Sequence, residues 1–120
     1  MKTAPIRPKT MRATLAPATE SIQDIMRRMN FAALEIVLVV NAKGALIGTI
    51  TDGDIRRGIL AHIDLNQPAV KIMNRKPIAI PAETSNAEAL AIMRRFSISH
   101  LPVLDANGHP LSLQRLDDLI

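Results

Sequence analysis

The residues best placed to do chemistry gather in one stretch, Gly48-Thr49-Ile50-Thr51-Asp52-Gly53-Asp54, followed closely by Arg56 and Arg57. An apolar run gives way there to helical spacing, so the stretch reads as a strand handing over to a helix. Thr-x-x-Asp at such a junction has two readings. Thr51 as cap and Asp54 three positions on resemble a capping box, which satisfies first-turn N–H groups. The same geometry suits a ligand, because a helix N-terminus offers free N–H groups and the positive end of a dipole to a phosphate beside Thr51. Asp54 could then accept hydrogen bonds from the two vicinal hydroxyls of a ribose. The two roles can coexist, and spacing alone leaves both open. Arg56 and Arg57 read either as an exposed basic face offset by Asp52 and Asp54, or as a phosphate partner with a planar donor array. Consecutive helix positions diverge by about 100°, so at most one of them is expected to reach the site.

Other candidates are thinner. His100 lies in Ser99-His100-Leu101-Pro102, and His62 and His109 stand apart from it, with no second ligand at metal spacing. Asp117-Asp118 could mimic a carboxylate pair. No Gly-x-Ser-x-Gly, phosphate-binding Walker loop or His-Glu-x-x-His occurs. With no nucleophile–base constellation, the chain is expected not to catalyse.

The elements that must position these residues come twice. Residue i matches residue i+64 without a gap: Pro17-Ala18 falls on Pro81-Ala82, Ser21 on Ser85, Met29 on Met93, and Asp54 on Asp118. The run Val39-Val40-Asn41-Ala42-Lys43-Gly44 falls on Val103-Leu104-Asp105-Ala106-Asn107-Gly108. In the first copy a cap at Thr19 to Ser21 precedes a helix with Ile22, Ile25, Met26 and Met29 on one face. A β-branched strand, Ile36 to Val40, then turns through residues 41–44 into Ala45 to Ile50, a hairpin. A second helix should present Ile55, Ile59, Leu60 and Ile63 on one side. Asn66, Gln67 and Pro68 mark the joint, and Val70 to Met73 reads as a short helical turn. The cycle restarts with strand Ile78 to Ile80, a cap near Thr84, a helix with Leu90 and Met93, strand Leu101 to Leu104, and strand Leu111 to Leu113. A closing helix has barely begun at Leu116 to Ile120, as if the chain were part of something longer. The expectation is an α+β fold of two pseudo-symmetric β-α-β-β-α repeats packed sheet to sheet. Residues 1–11 form a lead-in, 12–66 the first repeat and 67–120 the second. The methionines at 26, 29, 73 and 93 read as core filling.

Composition narrows the partners. Lys2, Arg7, Lys9 and Arg12 lie in an opening segment without acids, and removing them leaves 11 bases against 11 acids. The excess charge therefore belongs to a basic, solvated arm. Two phenylalanines with no Trp or Tyr supply almost no stacking platform, which argues against nucleic acid as partner. Without cysteine there are no disulfides, and a reducing cytoplasm is the expected setting. The longest apolar stretch, Ile36 to Val40, is far too short for a membrane span.

The duplicated unit, with Gly48-x-x-Thr51-x-x-Asp54 after the hairpin, resembles the tandem cystathionine-β-synthase (CBS) domain pair, or Bateman module, over roughly residues 12–120. That resemblance implies regulatory binding of adenosine-containing ligands such as AMP, ADP, ATP or S-adenosylmethionine, in service of a fused or associated catalytic domain. It places ribose and phosphate at Gly48, Thr51 and Asp54, and of the two arginines read above Arg56 is the one expected to join them. It takes the opposite wall from Ile78, Ala79, Ile80, Ser99, His100 and Pro102. The second copy has Ser112, Arg115 and Asp118 at the motif positions, and Arg115 lacks a hydroxyl, so one ligand per chain is expected. Thr51-Asp52-Gly53-Asp54-Ile55-Arg56-Arg57-Gly58-Ile59-Leu60 with Ile72-Met73-Asn74-Arg75-Lys76-Pro77 is similar to the pair that precedes sugar-phosphate nucleotidyltransferase domains. The pair that follows arabinose-5-phosphate isomerases is the alternative. Homodimerisation is expected through the apolar helices, with Ile22, Ile25, Met26 and Met29 on one and Ala87, Leu90, Ala91 and Met93 on the other.

Overall fold

Serine caps start the two long helices, and a computed structural model, which describes residues 8–120 with side-chain burial from residue 11, shows how the rest follows from them. Ser21 Oγ accepts the Asp24 N–H at 3.1 Å and opens α2 (Ile22–Ala32). Ser85 Oγ accepts the Glu88 N–H at 3.1 Å and opens α4 (Asn86–Phe96). Both helices close on a left-handed residue, Ala33 and Ser97, each at φ 55°. A short helix α1 (Pro8–Ala13) precedes them. It corrects the reading of 1–11 as a lead-in without periodic structure, because Pro8 stands at the first helical position, where its missing N–H costs nothing, and Met11 is buried. The remainder of that basic arm, residues 1–7, lies outside the described residues.

The expected element order is present. In residues 12–77, β1 (Leu15–Ala16) runs parallel to β2 (Ile36–Val40), which pairs antiparallel with β3 (Leu46–Thr51), and α3 (Asp52–Leu60) follows. In residues 78–120, β4 (Ile80–Pro81), β5 (His100–Leu104) and β6 (Pro110–Arg115) form a second sheet of the same order, ending in a 3-10 turn at Leu116–Asp118. The registers repeat with the sequence: Ile36 opposes Thr51 as His100 opposes Arg115, and both hairpins bulge at the same place, Val39/Val40 and Val103/Leu104. Asn41 Oδ1 accepts the N–H groups of Lys43 and Ala45, and Asp105 Oδ1 accepts those of Asn107 and His109. Gly44 and Gly108 take φ of 82° and 80°, a conformation that explains glycine at both positions.

The core of the first unit joins Ile25 and Met29 of α2 to Val37, Val39 and Ile50 of the sheet, with Ile55 and Ala69. That of the second joins Ala89 and Met93 to Ile80 and Leu101. Of the four methionines assigned to core filling, Met29 and Met93 are buried and Met26 and Met73 pack partly buried against the first cluster. Two expectations change. Helix α3 stops at Leu60, and Ile59 and Leu60 are exposed, because the chain leaves the helix before Ile63 can extend an apolar face. Ile25 and Met29, expected on a dimer surface, are instead buried in the core of their own unit, and Ile22, expected there too, is also buried.

Residues 67–77, which repeat spacing assigns to the second copy, pack on the first. The Ala69 N–H donates to the Glu20 carbonyl at 2.7 Å, and Thr49 and Asn74 exchange backbone hydrogen bonds of 3.1 and 2.8 Å. Compact packing accordingly runs from Arg12 to Pro77 and begins again at Ile78. The physical reason is edge pairing: β3 has one side free for N–H and C=O partners, and the segment after α3 supplies them.

Two outcomes check this packing. A Cβ on Gly58 would stand 2.8 Å from Ile72 Cγ2. Alanine normally improves a helix over glycine by about 1 kcal/mol, but overpacking here should make Gly58→Ala lose about 1–2 kcal/mol in urea unfolding. Adding Ile72→Ala should then cost less than the sum of the single losses. The second outcome concerns Asp105, whose carboxyl is held below its usual value chiefly by the His109 N–H, then by that of Asn107. A depressed carboxyl contributes stability above its unfolded-state value and loses that contribution as pH falls through the folded-state one. Asp105→Asn, which copies Asn41, should leave the melting temperature near wild type at neutral pH. Below about pH 4, where carboxylates titrate, it should lose less than wild type.

Candidate functional site

Thr51 ends β3 opposite Ile36, with extended backbone at φ −113° and ψ 171°, and the chain turns directly into α3. The Asp54 carboxylate folds back onto that junction. Its Oδ2 accepts the Thr51 N–H at 2.9 Å and the Thr51 hydroxyl at 3.2 Å, while its Oδ1 accepts Arg57 Nη2 at 2.7 Å. The capping interaction between Asp54 and Thr51 is therefore built. Asp54 is 13% exposed and Arg57 69%, so a nearly covered carboxylate faces a guanidinium at the surface. Of the two arginines it is Arg57 that reaches the motif, because it lies three residues beyond Asp54; Arg56 is exposed. The first-turn N–H groups of α3 have no helical acceptor and point at the same corner.

Gly48 has another task. A Cβ there would meet Met73 Sδ at 2.8 Å and the Asn74 carbonyl oxygen at 2.9 Å. Glycine is needed at this position because the segment after α3 lies directly on β3. It is buried under that segment, three residues before Thr51.

The remaining candidates lie in the second unit. Ile80 is buried and lies beside Val103 in the parallel pair, and Ile78 packs against the same core. Ala79 is half-buried. Pro102 is fully buried opposite Leu113. Ser99 Oγ lies 3.3 Å from His100 Nδ1, and the Ser99 carbonyl accepts the Leu116 N–H at 2.9 Å. At the second-copy motif, Arg115 donates through Nε to Asp118 Oδ2 at 2.9 Å and through Nη2 to Oδ1 at 3.4 Å. Arginine thus engages both oxygens of the carboxylate that would answer to Asp54.

Each unit also carries a cavity that the motif reading did not name. One of about 430 Å³ lies at Ala16, Pro17, Ala18, Val40 and Ile47, and one of about 410 Å³ at Pro81, Ala82, Ser85, Ser112 and Gln114. The signal was present in the repeat, since Pro17-Ala18 and Pro81-Ala82 are among its clearest matches. Among the described residues no group of three His, Asp or Glu could hold a metal ion, and no helix is long and apolar enough to cross a membrane. What the Thr51 corner offers is hydrogen-bond donors for an anion and a carboxylate for hydroxyl groups.

Comparison with known proteins agrees with this fold. The CBS domain family model matches residues 10–61 and again 69–113. A CBS domain-containing protein of Arabidopsis thaliana is 31% identical over 110 residues, covering 89% of this chain and 20% of the relative. An arabinose 5-phosphate isomerase of Pseudomonas aeruginosa is 33% identical over 101 residues, covering 83% and 31%. The chain thus spans less than a third of either relative. A solved CBS domain protein from Pyrobaculum aerophilum, complexed with AMP, superimposes with a TM-score of 0.81 at 22% identity, covering 91% of this chain and 88% of that one. The CBS domain pair of protein MJ0100, in complex with 5′-methylthioadenosine and S-adenosyl-L-methionine, gives 0.81 at 21% identity, covering 88% and 82%. With the domain matched twice and both three-stranded repeats in place, this chain belongs to the CBS domain family and carries its domain as a tandem pair, a Bateman module.

Proposed function

We propose that this pair is a non-catalytic regulatory module that binds one adenosine nucleotide, AMP, ADP or ATP, at the Thr51–Asp54 corner. The observation that carries the reading is the Asp54 carboxylate held 2.9 Å from the Thr51 N–H at the start of α3. An acid able to accept hydroxyl groups beside a helix terminus able to receive a phosphate supports this reading. Structures of the same fold complexed with AMP, 5′-methylthioadenosine and S-adenosyl-L-methionine support the choice of adenosine. Arg115 on Asp118 supports a single site per chain. For the catalytic partner, the arabinose 5-phosphate isomerases among the relatives favour a sugar-phosphate isomerase over the nucleotidyltransferase parent.

We also propose a homodimer. Each unit leaves an exposed apolar ring available for it, Phe31 in the last turn of α2 and Phe96 in the last turn of α4, 71% and 48% exposed.

Calorimetric titration with AMP, ADP, ATP and a guanine nucleotide tests the ligand. We expect about one nucleotide per chain, and a loss of about 1.5–3 kcal/mol in affinity for Asp54→Ala, the range for hydrogen bonds to a charged group. Ser21→Ala, which removes the α2 cap and lowers stability by about 1 kcal/mol, should bind as wild type does. Equal affinity of the Asp54 variant and wild type rules the ligand role out. Light scattering at micromolar concentration should give the mass of two chains, and Phe31→Glu should shift it toward one; a one-chain mass for wild type across a tenfold dilution refutes the dimer.

A further inference from the structure

The Asp54 carboxylate is already occupied by the chain itself, and by an arginine that the ligand motif does not include. Each carboxylate oxygen offers about two acceptor positions. Thr51 fills both on Oδ2, with its N–H at 2.9 Å and its hydroxyl at 3.2 Å. Arg57 Nη2 takes one on Oδ1 at 2.7 Å. A vicinal diol needs two acceptor positions and finds one, so it competes with Arg57 for the carboxylate.

The local sequence makes room for that arginine. A Cβ on Gly53 would stand 3.1 Å from Arg57 Nη1 and 3.4 Å from Nη2. Glycine is a weak helix former in the first turn of α3, and its missing side chain is the space into which the guanidinium folds. The arginine is 69% exposed, so it can swing away without leaving a hole in the core. Once displaced it needs another anion. The nearest place for one is the N-terminus of α3, towards which Arg57 already reaches back by three residues.

We propose that Arg57 is a specificity-determining residue of this site: it competes with the ribose diol for Asp54 and thereby selects phosphorylated nucleosides over neutral ones. A nucleoside breaks the Asp54–Arg57 pair and offers nothing in exchange. A nucleotide breaks it and supplies a phosphate to receive the guanidinium. This inference rests on the Thr51–Asp54 corner being the nucleotide site.

The test is calorimetry on the full chain with adenosine, 2′-deoxyadenosine and AMP, at low and high sodium chloride, for wild type and Arg57→Gln. Exposed ion pairs are worth up to about 1 kcal/mol, so Arg57→Gln should bind adenosine about two- to fivefold tighter than wild type. It should gain nothing for 2′-deoxyadenosine, which lacks the diol, and should bind AMP no tighter. Salt screens the pair, so wild-type affinity for adenosine should rise with ionic strength while that of the variant stays flat. Gly53→Ala, which crowds the guanidinium and leaves Arg57 in place, should move adenosine affinity in the same direction. If AMP binds and neither substitution changes the preference over adenosine, Arg57 is a solvated surface charge and the inference is overturned, with the site intact. If neither AMP nor adenosine binds any of the proteins, the site reading fails and this inference with it.

Discussion

The register of the β2–β3 hairpin is the constraint on which the first unit depends. Strand side chains alternate between faces, so a slip of one residue would turn Val37, Val39 and Ile50 away from α2. It would also carry Thr51 away from its position opposite Ile36, and α3 would start in the wrong place. The register is held at the turn, where Asn41 Oδ1 gathers two backbone N–H groups and Gly44 accepts a left-handed backbone. A polar turn, Asn41 to Gly44, thereby sets the position of the Asp54 carboxylate, well along the chain from it. The second unit repeats the device with Asp105 and Gly108.

The free side of β3 has a comparable effect on the outline of the unit. An edge strand exposes unpaired backbone groups, and here the segment after α3 covers part of it through Thr49 and Asn74. Close approach of two backbones leaves no space for a side chain between them, so position 48 is glycine. Gly58 serves the same segment from the helix side, under Ile72. Two glycines that look unrelated in the sequence thus answer to one strap of chain, and the motif glycine is explained by packing before any ligand is considered.

The two repeats agree in turns, caps and register, and part company at their acidic motifs. Asp54 is held by a threonine and a surface arginine at the head of a nine-residue helix. Asp118 is held by an arginine from the strand before it and ends a 3-10 turn. A hydroxyl donates one hydrogen bond and leaves the helix terminus open; a guanidinium brings a full positive charge and several donors to the carboxylate. One changed residue type at the cap position therefore separates a carboxylate capped by a threonine from one paired with the arginine at that position.

Much of this was legible in the sequence. The 64-residue repeat, the hairpin turns, the serine caps and the Thr51–Asp54 junction are local patterns, determined by which side chains sit three or four positions apart or bracket a turn. Short-range geometry decides them, and they appear where spacing placed them. Three features could be decided only by tertiary structure. Residues 67–77 fold back onto the first unit, Ile25 and Met29 bury themselves in their own unit, and Arg57 rather than Arg56 claims Asp54. Each is a choice among partners that local spacing leaves equivalent: which edge a segment pairs with, which surface an apolar face covers, and which of two adjacent arginines has room to fold back. Such choices are settled by what else occupies the space. For Arg57 that space is the missing side chain of Gly53, and it becomes visible only once the helix has been built around it.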